Sequence, residues 1–260
     1  MTAPLVNISN LSVTYRGSEQ AALDAINLSM GFGERLAIIG ESGSGKSTLG
    51  LALAGLLPTD ARISGSLVWP DLAQPQPGRD IGMVFQDPGN SLNPVLRIGE
   101  QIAEVAQRHL GMNWRQARER ALELLGRVRI PQPERAIDAY PHQLSGGQRQ
   151  RVAIASAIAA KPKLLIADEP TSALDMVVQS EIVALLDELV RADGMTLLFI
   201  THDMALASGF ADRIAVFRNG ALVETGPAQS VLGNPQTDYT ATLIASHIDL
   251  TSPPLIGVAS

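Results

Sequence analysis

The chain has 260 residues, enough for one large α/β domain carrying a subdomain, and a core that buries roughly three quarters of the unfolded surface. Hydrophobic residues make up 45% and charged residues 18%, which excludes wholesale disorder; a net charge of −6 argues against a nucleic-acid partner, whose phosphates require clustered Lys and Arg. With no cysteine, disulfides, thiolate nucleophiles, zinc–thiolate sites and iron–sulfur clusters are all excluded.

The first ten residues lack the basic and apolar regions of a signal peptide. No run reaches the roughly 18 consecutive apolar residues of a membrane span. Neither a leader nor a transmembrane helix is therefore expected. Spaced apolar residues at Val6, Ile8, Leu11, Val13 and Tyr15, and again over 23–30, predict half-buried strands. The dense run Leu36–Ile39 ends at a glycine cluster, and a helical pattern follows over 46–55. Residues 63–69 read as a strand, 71–80 as a polar, Pro-rich surface loop, and 81–85 as a buried strand. From Ile98 to Arg129 the period is helical, with Leu122, Leu125 and Val128 on one face, until three prolines in 131–143 break it. The stretch 88–143 is therefore expected to be a helical subdomain inserted between strands. Strand and helix then alternate: 163–168, 176–191, 195–200, 203–209 and 213–218. Asn219-Gly220 between two apolar runs predicts a hairpin. Such alternation implies parallel strands with crossover helices.

GESGSGKS (40–47) fits the phosphate-loop pattern and stands where the chemistry needs it, after an apolar strand and at a helix start. Gly40, Glu41, Ser42, Gly43, Ser44 and Gly45 let backbone N–H groups curl around phosphates, with the helix dipole behind them. Lys46 brings charge to the β/γ-phosphates, the Ser47 hydroxyl can ligate Mg²⁺, and Thr48 continues the turn. KLLIADEP (163–170) is an apolar strand ending in two carboxylates. Alone it reads as a solvated loop or a helix cap; with a phosphate loop upstream, Asp168 becomes a Mg²⁺ ligand and Glu169 the group that orients or deprotonates water. LSGGQ (144–148) places Ser145, Gly146, Gly147 and Gln148 at a helix N-terminus. It is either an ordinary cap or a second phosphate cradle. Since the γ-phosphate already has its cradle at 40–47, a second one suggests use in trans by a partner copy.

Phosphate loop, LSGGQ, LLIADEP, SALD (172–175) and THD (201–203), in this order, resemble the nucleotide-binding subunits of ATP-binding cassette (ABC) transporters. The resemblance implies an α/β fold: a P-loop NTPase ABC ATPase core with an antiparallel β N-terminal subdomain and the inserted helical subdomain. It implies a single ATP-binding domain over 1–260, ending in a tail over 227–260. It also implies ATP and Mg²⁺ as ligands. Tyr15 resembles the aromatic that stacks on adenine, with a strand aromatic in the core as the lesser alternative. Gln86 resembles the residue that reaches Mg²⁺ and the attacking water. His202 resembles the switch histidine on the γ-phosphate, and Asp175 the residue that meets the opposite subunit. QDPGNSLNP (86–94) and NPQTDYT (234–240) look like the peptide and nickel importer branch. The chain departs from that branch in three ways. No cysteines stand near the C-terminal end, the 66–80 segment is short and Pro-rich, and Ser156 occupies a position where Arg is common.

The implied activity is ATP hydrolysis coupled to import of peptides or nickel. The implied partners are a second ABC ATPase, two transmembrane permease subunits and a periplasmic or extracellular substrate-binding protein. The implied location is peripheral, at the cytoplasmic face of the inner membrane. An exporter ATPase and a soluble non-transport cassette are the alternatives.

Overall fold

A computed structural model describes residues 3–247 apart from 73, 88–90 and 173. Chain order runs β1 (Val6–Thr14), β2 (Leu23–Met30), β3 (Arg35–Ile39), α1 (Lys46–Ala54), β4 (Arg62–Val68), β5 (Ile81–Val84), α2 (Ile98–Leu110), α3 (Trp114–Arg127) and α4 (Pro133–Ala136). It continues through α5 (Gly146–Ile158), β6 (Leu164–Asp168), α6 (Met176–Asp193), β7 (Thr196–Thr201), α7 (Met204–Ser208), β8 (Arg213–Arg218), β9 (Ala221–Pro227), α8 (Ala228–Gly233) and α9 (Asp238–His247). The chain divides into two compact units. One joins the part through Pro75 to the part from Gly194 onward; the other is Gln76–Asp193.

In the first unit β1 lies between β2 and β4 in an antiparallel sheet. Val6, Ile8, Leu11 and Val13 are all buried. The step from Ile8 to Leu11 breaks strict alternation, and the register with β4 slips between Ser9 and Ser12. Asn10 absorbs the slip at φ 49°, its N–H bound to the Asn27 side chain. In the second sheet of this unit, β3 pairs in parallel with β7 on one side and β8 on the other, and β9 returns antiparallel to β8. Leu36, Ala37, Ile38 and Ile39 are fully buried, as a central strand covered on both faces requires. The β8–β9 turn is the hairpin read from the sequence: Asn219 and Gly220 both take positive φ, 50° and 81°. Of the tail expected over 227–260, the described part forms α8 and α9, which pack Val231 and Leu243 against Ile39 and Val216. Residues 248–260 lie outside the described residues.

In the second unit β5 and β6 pair in parallel, ending at Val84 opposite Ala167. The helical period over 98–129 is two helices, not one continuous run. Gly111, at φ 66°, ends α2, and the Asn113 side chain accepts the Gln116 N–H to cap α3. Leu125 and Val128 are buried, as their face predicts, but Leu122 is half-buried and lines a surface groove with Trp114 and Ile137. The Pro-rich stretch contributes α4 and is tied down by charge. Asp138 accepts from Arg118 at 2.9 Å and from Arg97 at 3.2 Å. The compact unit is wider than the 88–143 stretch, whose first residues, 88–90, lie outside the described set. Among the described residues no helix is long and apolar enough to cross a membrane.

Candidate functional site

Two groups of sequence-marked residues take shape, one in each unit. In the first unit, Ile39 pairs with both Thr201 and Val216, so the phosphate loop and His202 leave the same carboxyl edge of the sheet. That edge is where open α/β sheets bind ligands. Gly43 and Gly45 take φ of 79° and 101°, a conformation glycine adopts without the strain of a Cβ. A Cβ on Gly40 would meet the Phe217 carbonyl at 2.2 Å, and one on Gly45 the Ala22 carbonyl at 2.4 Å. The loop is also braced by the hairpin tip. Gly220 donates its N–H to the Ser44 carbonyl at 3.0 Å and accepts from the Asp24 N–H at 2.8 Å.

These residues fit a phosphate chain. No side chain caps the N-terminus of α1 and no acidic residue occupies its first turn, so its leading N–H groups and dipole suit an anion. Among the described residues the buried Ser44 hydroxyl has no hydrogen-bond partner. Lys46 is 4% exposed, and its ammonium donates to the Gly40 and Glu41 carbonyls at 2.7 and 2.8 Å. A buried ammonium held along a glycine loop places positive charge where a phosphate chain would lie. Glu41, Ser42 and Ser47 are exposed, while Thr48 is buried beneath them. Tyr15 is half-buried, unlike the fully buried Val13 before it, and its hydroxyl lies 3.2 Å from the Thr48 hydroxyl. Its hydroxyl therefore reaches the first turn of α1, directly after the loop. His202 is exposed on a turn whose next residue is fixed: the Asp203 carboxylate accepts from the Ala205 and Leu206 N–H groups and so caps α7.

In the second unit the Val84–Ala167 pairing sets Gln86 and Glu169 just beyond the same sheet edge. The Gln86 amide donates to the Glu169 carboxylate at 3.1 Å. Asp168 ends β6 at 7% exposure, buried beside this pair in sequence. Glu169 takes φ 44°, a left-handed conformation unusual for a residue with a Cβ. Strain of this kind, about 1–3 kcal/mol, persists only where the surroundings enforce it, and it concentrates at functional sites. Ser145 caps α5: its hydroxyl accepts the Gln148 N–H, and the Gln148 side chain returns to the Ser145 N–H. A Cβ on Gly147 would come within 2.8 Å of Val178 on α6, which accounts for glycine there. Asp175 caps α6 through the Val178 N–H at 3.0 Å. Next to it, Met176 and Val177 are 77% and 69% exposed, an apolar pair beside the Ser145–Gln148 turn. Among the described residues the buried Ser156 hydroxyl has no hydrogen-bond partner.

Sequence reasoning missed the braces. Gly220 acts through its backbone N–H, and Ala22 and Phe217 through carbonyls that leave no room for a Cβ on the loop, and backbone groups carry no compositional signal. Among the described residues no three of His, Asp and Glu converge as a metal cage.

A family model described as ABC transporter matches residues 23–172, more than half the chain. The chain is 48% identical, over 96% of its length and 79% of the relative's, to a Brucella melitensis protein provisionally named as a peptide import ATP-binding protein. It is 45% identical to the dipeptide transport ATP-binding protein DppD of Escherichia coli K12, over 92% of this chain and 77% of that one. Its fold matches the ATP-binding cassette MJ0796, solved as a dimer in a post-hydrolysis state with ADP and Pi, at a TM-score of 0.73 and 34% identity, covering 86% of this chain and 98% of the other. Phosphate loop, Ser145–Gln148 turn and paired Gln86–Glu169 thus stand in a chain that belongs to the ABC transporter family, as one of its ATPase cassettes.

Proposed function

We propose that the chain is the ATP-hydrolysing subunit of an importer for di- or oligopeptides, acting at the cytoplasmic face of a membrane it does not itself enter. Similarity over 92–96% of its length to proteins named for peptide and dipeptide import carries the substrate class. In this reading, Gly40–Thr48 and Tyr15 bind the nucleotide, with Tyr15 stacking on the base. His202 hydrogen-bonds the γ-phosphate. Gln86 and Glu169 position the attacking water, and the Glu169 carboxylate accepts its proton as the β–γ phosphoanhydride bond breaks. Mg²⁺, when bound, offsets the charge that develops on the phosphate oxygens, and Ser47, Asp168 and Gln86 are the residues that would hold it. One buried carboxylate with a hydroxyl and an amide suits an ion whose shell is completed by phosphate oxygens and water.

Ser145–Gln148 then serves a nucleotide held by a second ATPase subunit. The exposed Met176–Val177 pair beside that turn supports a face buried by such a partner. ATP favours the closed pair because only its γ-phosphate reaches the partner's Ser145–Gln148 turn, and hydrolysis removes that differential contact. Two permease subunits and an external binding protein complete the assembly. The test is Glu169→Gln. Phosphate release should fall by about 10²–10⁴-fold while ATP, not ADP, accumulates on a stable ATPase dimer. Unchanged turnover would remove Glu169 from the chemistry. A monomer at saturating ATP would remove the partner.

A further inference from the structure

Between Glu169 and α6 the backbone is pinned by one side chain that no sequence motif marks. The Gln179 amide nitrogen donates to the Thr171 carbonyl at 3.1 Å and to the Leu174 carbonyl at 2.9 Å, so both of its N–H bonds are spent on this segment. The backbone N–H of Gln179 donates to the Asp175 carbonyl at 2.9 Å. One residue of α6 therefore holds three carbonyls of the chain that links the water-handling carboxylate to the helix. On the near side, Ser172 donates both its N–H and its hydroxyl to the Glu169 carbonyl, each at 3.2 Å. Leu174 closes the turn onto Thr171 at 3.1 Å. Thr171 is 4% exposed, so a carbonyl released there is not readily rehydrated.

We infer that Gln179 is a positioning residue for ATP hydrolysis. By clamping the Thr171 and Leu174 carbonyls, it fixes the backbone at these two residues and so holds Glu169 in its left-handed conformation, with the carboxylate against Gln86. The inference rests on the reading of Glu169 as the residue that handles water. Gln179 touches neither Glu169 nor the Ser145–Gln148 turn through its side-chain bonds, so it acts through the backbone alone.

Two near-isosteric substitutions in the full-length chain separate the parts. Gln179→Met keeps volume and removes both donors. Gln179→Glu keeps shape and turns an acceptor toward two carbonyls. Steady-state phosphate release should fall about 10- to 100-fold for Gln179→Met and further for Gln179→Glu, with the KM for ATP within about twofold of the parent. Combined with Glu169→Gln, Gln179→Met should slow turnover no further, because the residue through which it acts is already gone. If Gln179→Met melts early, Gln179→Glu carries the same comparison.

A kcat within about twofold of the parent for both variants, or full multiplication of the two effects in the double variant, overturns the inference. Parent-like turnover of Glu169→Gln alone overturns the underlying reading of Glu169 instead. Slow Glu169→Gln with normal Gln179 variants sinks only the clamp.

Discussion

The Gly40–Thr48 loop lies close against the backbone carbonyls of Phe217 and Ala22, is tied to the Gly220 N–H and is closed by its own Lys46 ammonium, whereas the turn after Glu169 adds to its backbone bonds the side chains of Ser172 and, from the following helix, Gln179. The first arrangement leaves no room for a Cβ at Gly40 or Gly45 and surrounds a buried Lys46. The second tolerates a strained, half-buried carboxylate whose place depends on hydrogen bonds that single substitutions can remove. Rigid backbone suits a surface that must present fixed N–H groups to a ligand. A side-chain lattice suits a group that must register whether its neighbours are in place. Binding and chemistry are therefore expected to fail separately.

Lys46→Ala should give the largest loss on the binding side. Removing the buried ammonium should weaken ATP affinity by roughly 10–100-fold, the worth of a charged hydrogen bond to phosphate. A fluorescent-nucleotide titration would measure it, and unaltered affinity would break the division of labour. Tyr15→Ala sharpens the same side. Loss of stacking of about 1 kcal/mol should raise the ATP dissociation constant about fivefold with kcat little changed. If instead thermal melting collapsed, the ring would belong to the core despite its half exposure. The smallest effect should come from neither side.

Hydrogen bonds from Arg118, only partly opposed by burial and joined by the charges of Arg118 and Arg97, hold the Asp138 carboxyl below its ordinary range. A carboxyl depressed in the folded state contributes stability above its unfolded value, near 3.9, and loses it as pH falls through the depressed one. Asp138→Asn should thus lower the melting temperature slightly at neutral pH, with the gap to the parent closing in strongly acidic buffer. A gap that stays constant with pH would show that the carboxylate charge is not what ties the Pro-rich stretch down. Phosphate release at neutral pH should not move.

What the sequence disclosed follows the same division. The phosphate loop lies within nine consecutive residues, and its glycines, lysine and serine are named by their own chemistry, so reading them needed no tertiary structure. Glu169 is legible because it follows an apolar strand in a chain that already carries a phosphate loop upstream. Its partner Gln86 is 83 residues away and was found through the order of motifs, not through any local signal. Gln179 sits inside a helical period where a polar residue on a half-buried face is unremarkable, and only the fold brings two carbonyls under its amide. Gly111 escaped notice because the charged residues on either side keep one amphipathic period, although the chain reverses there. Leu122 joined a predicted apolar face whose outer rim the fold leaves open to water.

A hairpin tip such as Asn219-Gly220 is ordinarily where a tag, a reporter or new chain ends are grafted, since loop tips absorb insertions with little cost. Here the Gly220 amide carries the Ser44 carbonyl and its carbonyl carries Asp24, so a peptide spliced into that tip would loosen the loop it braces.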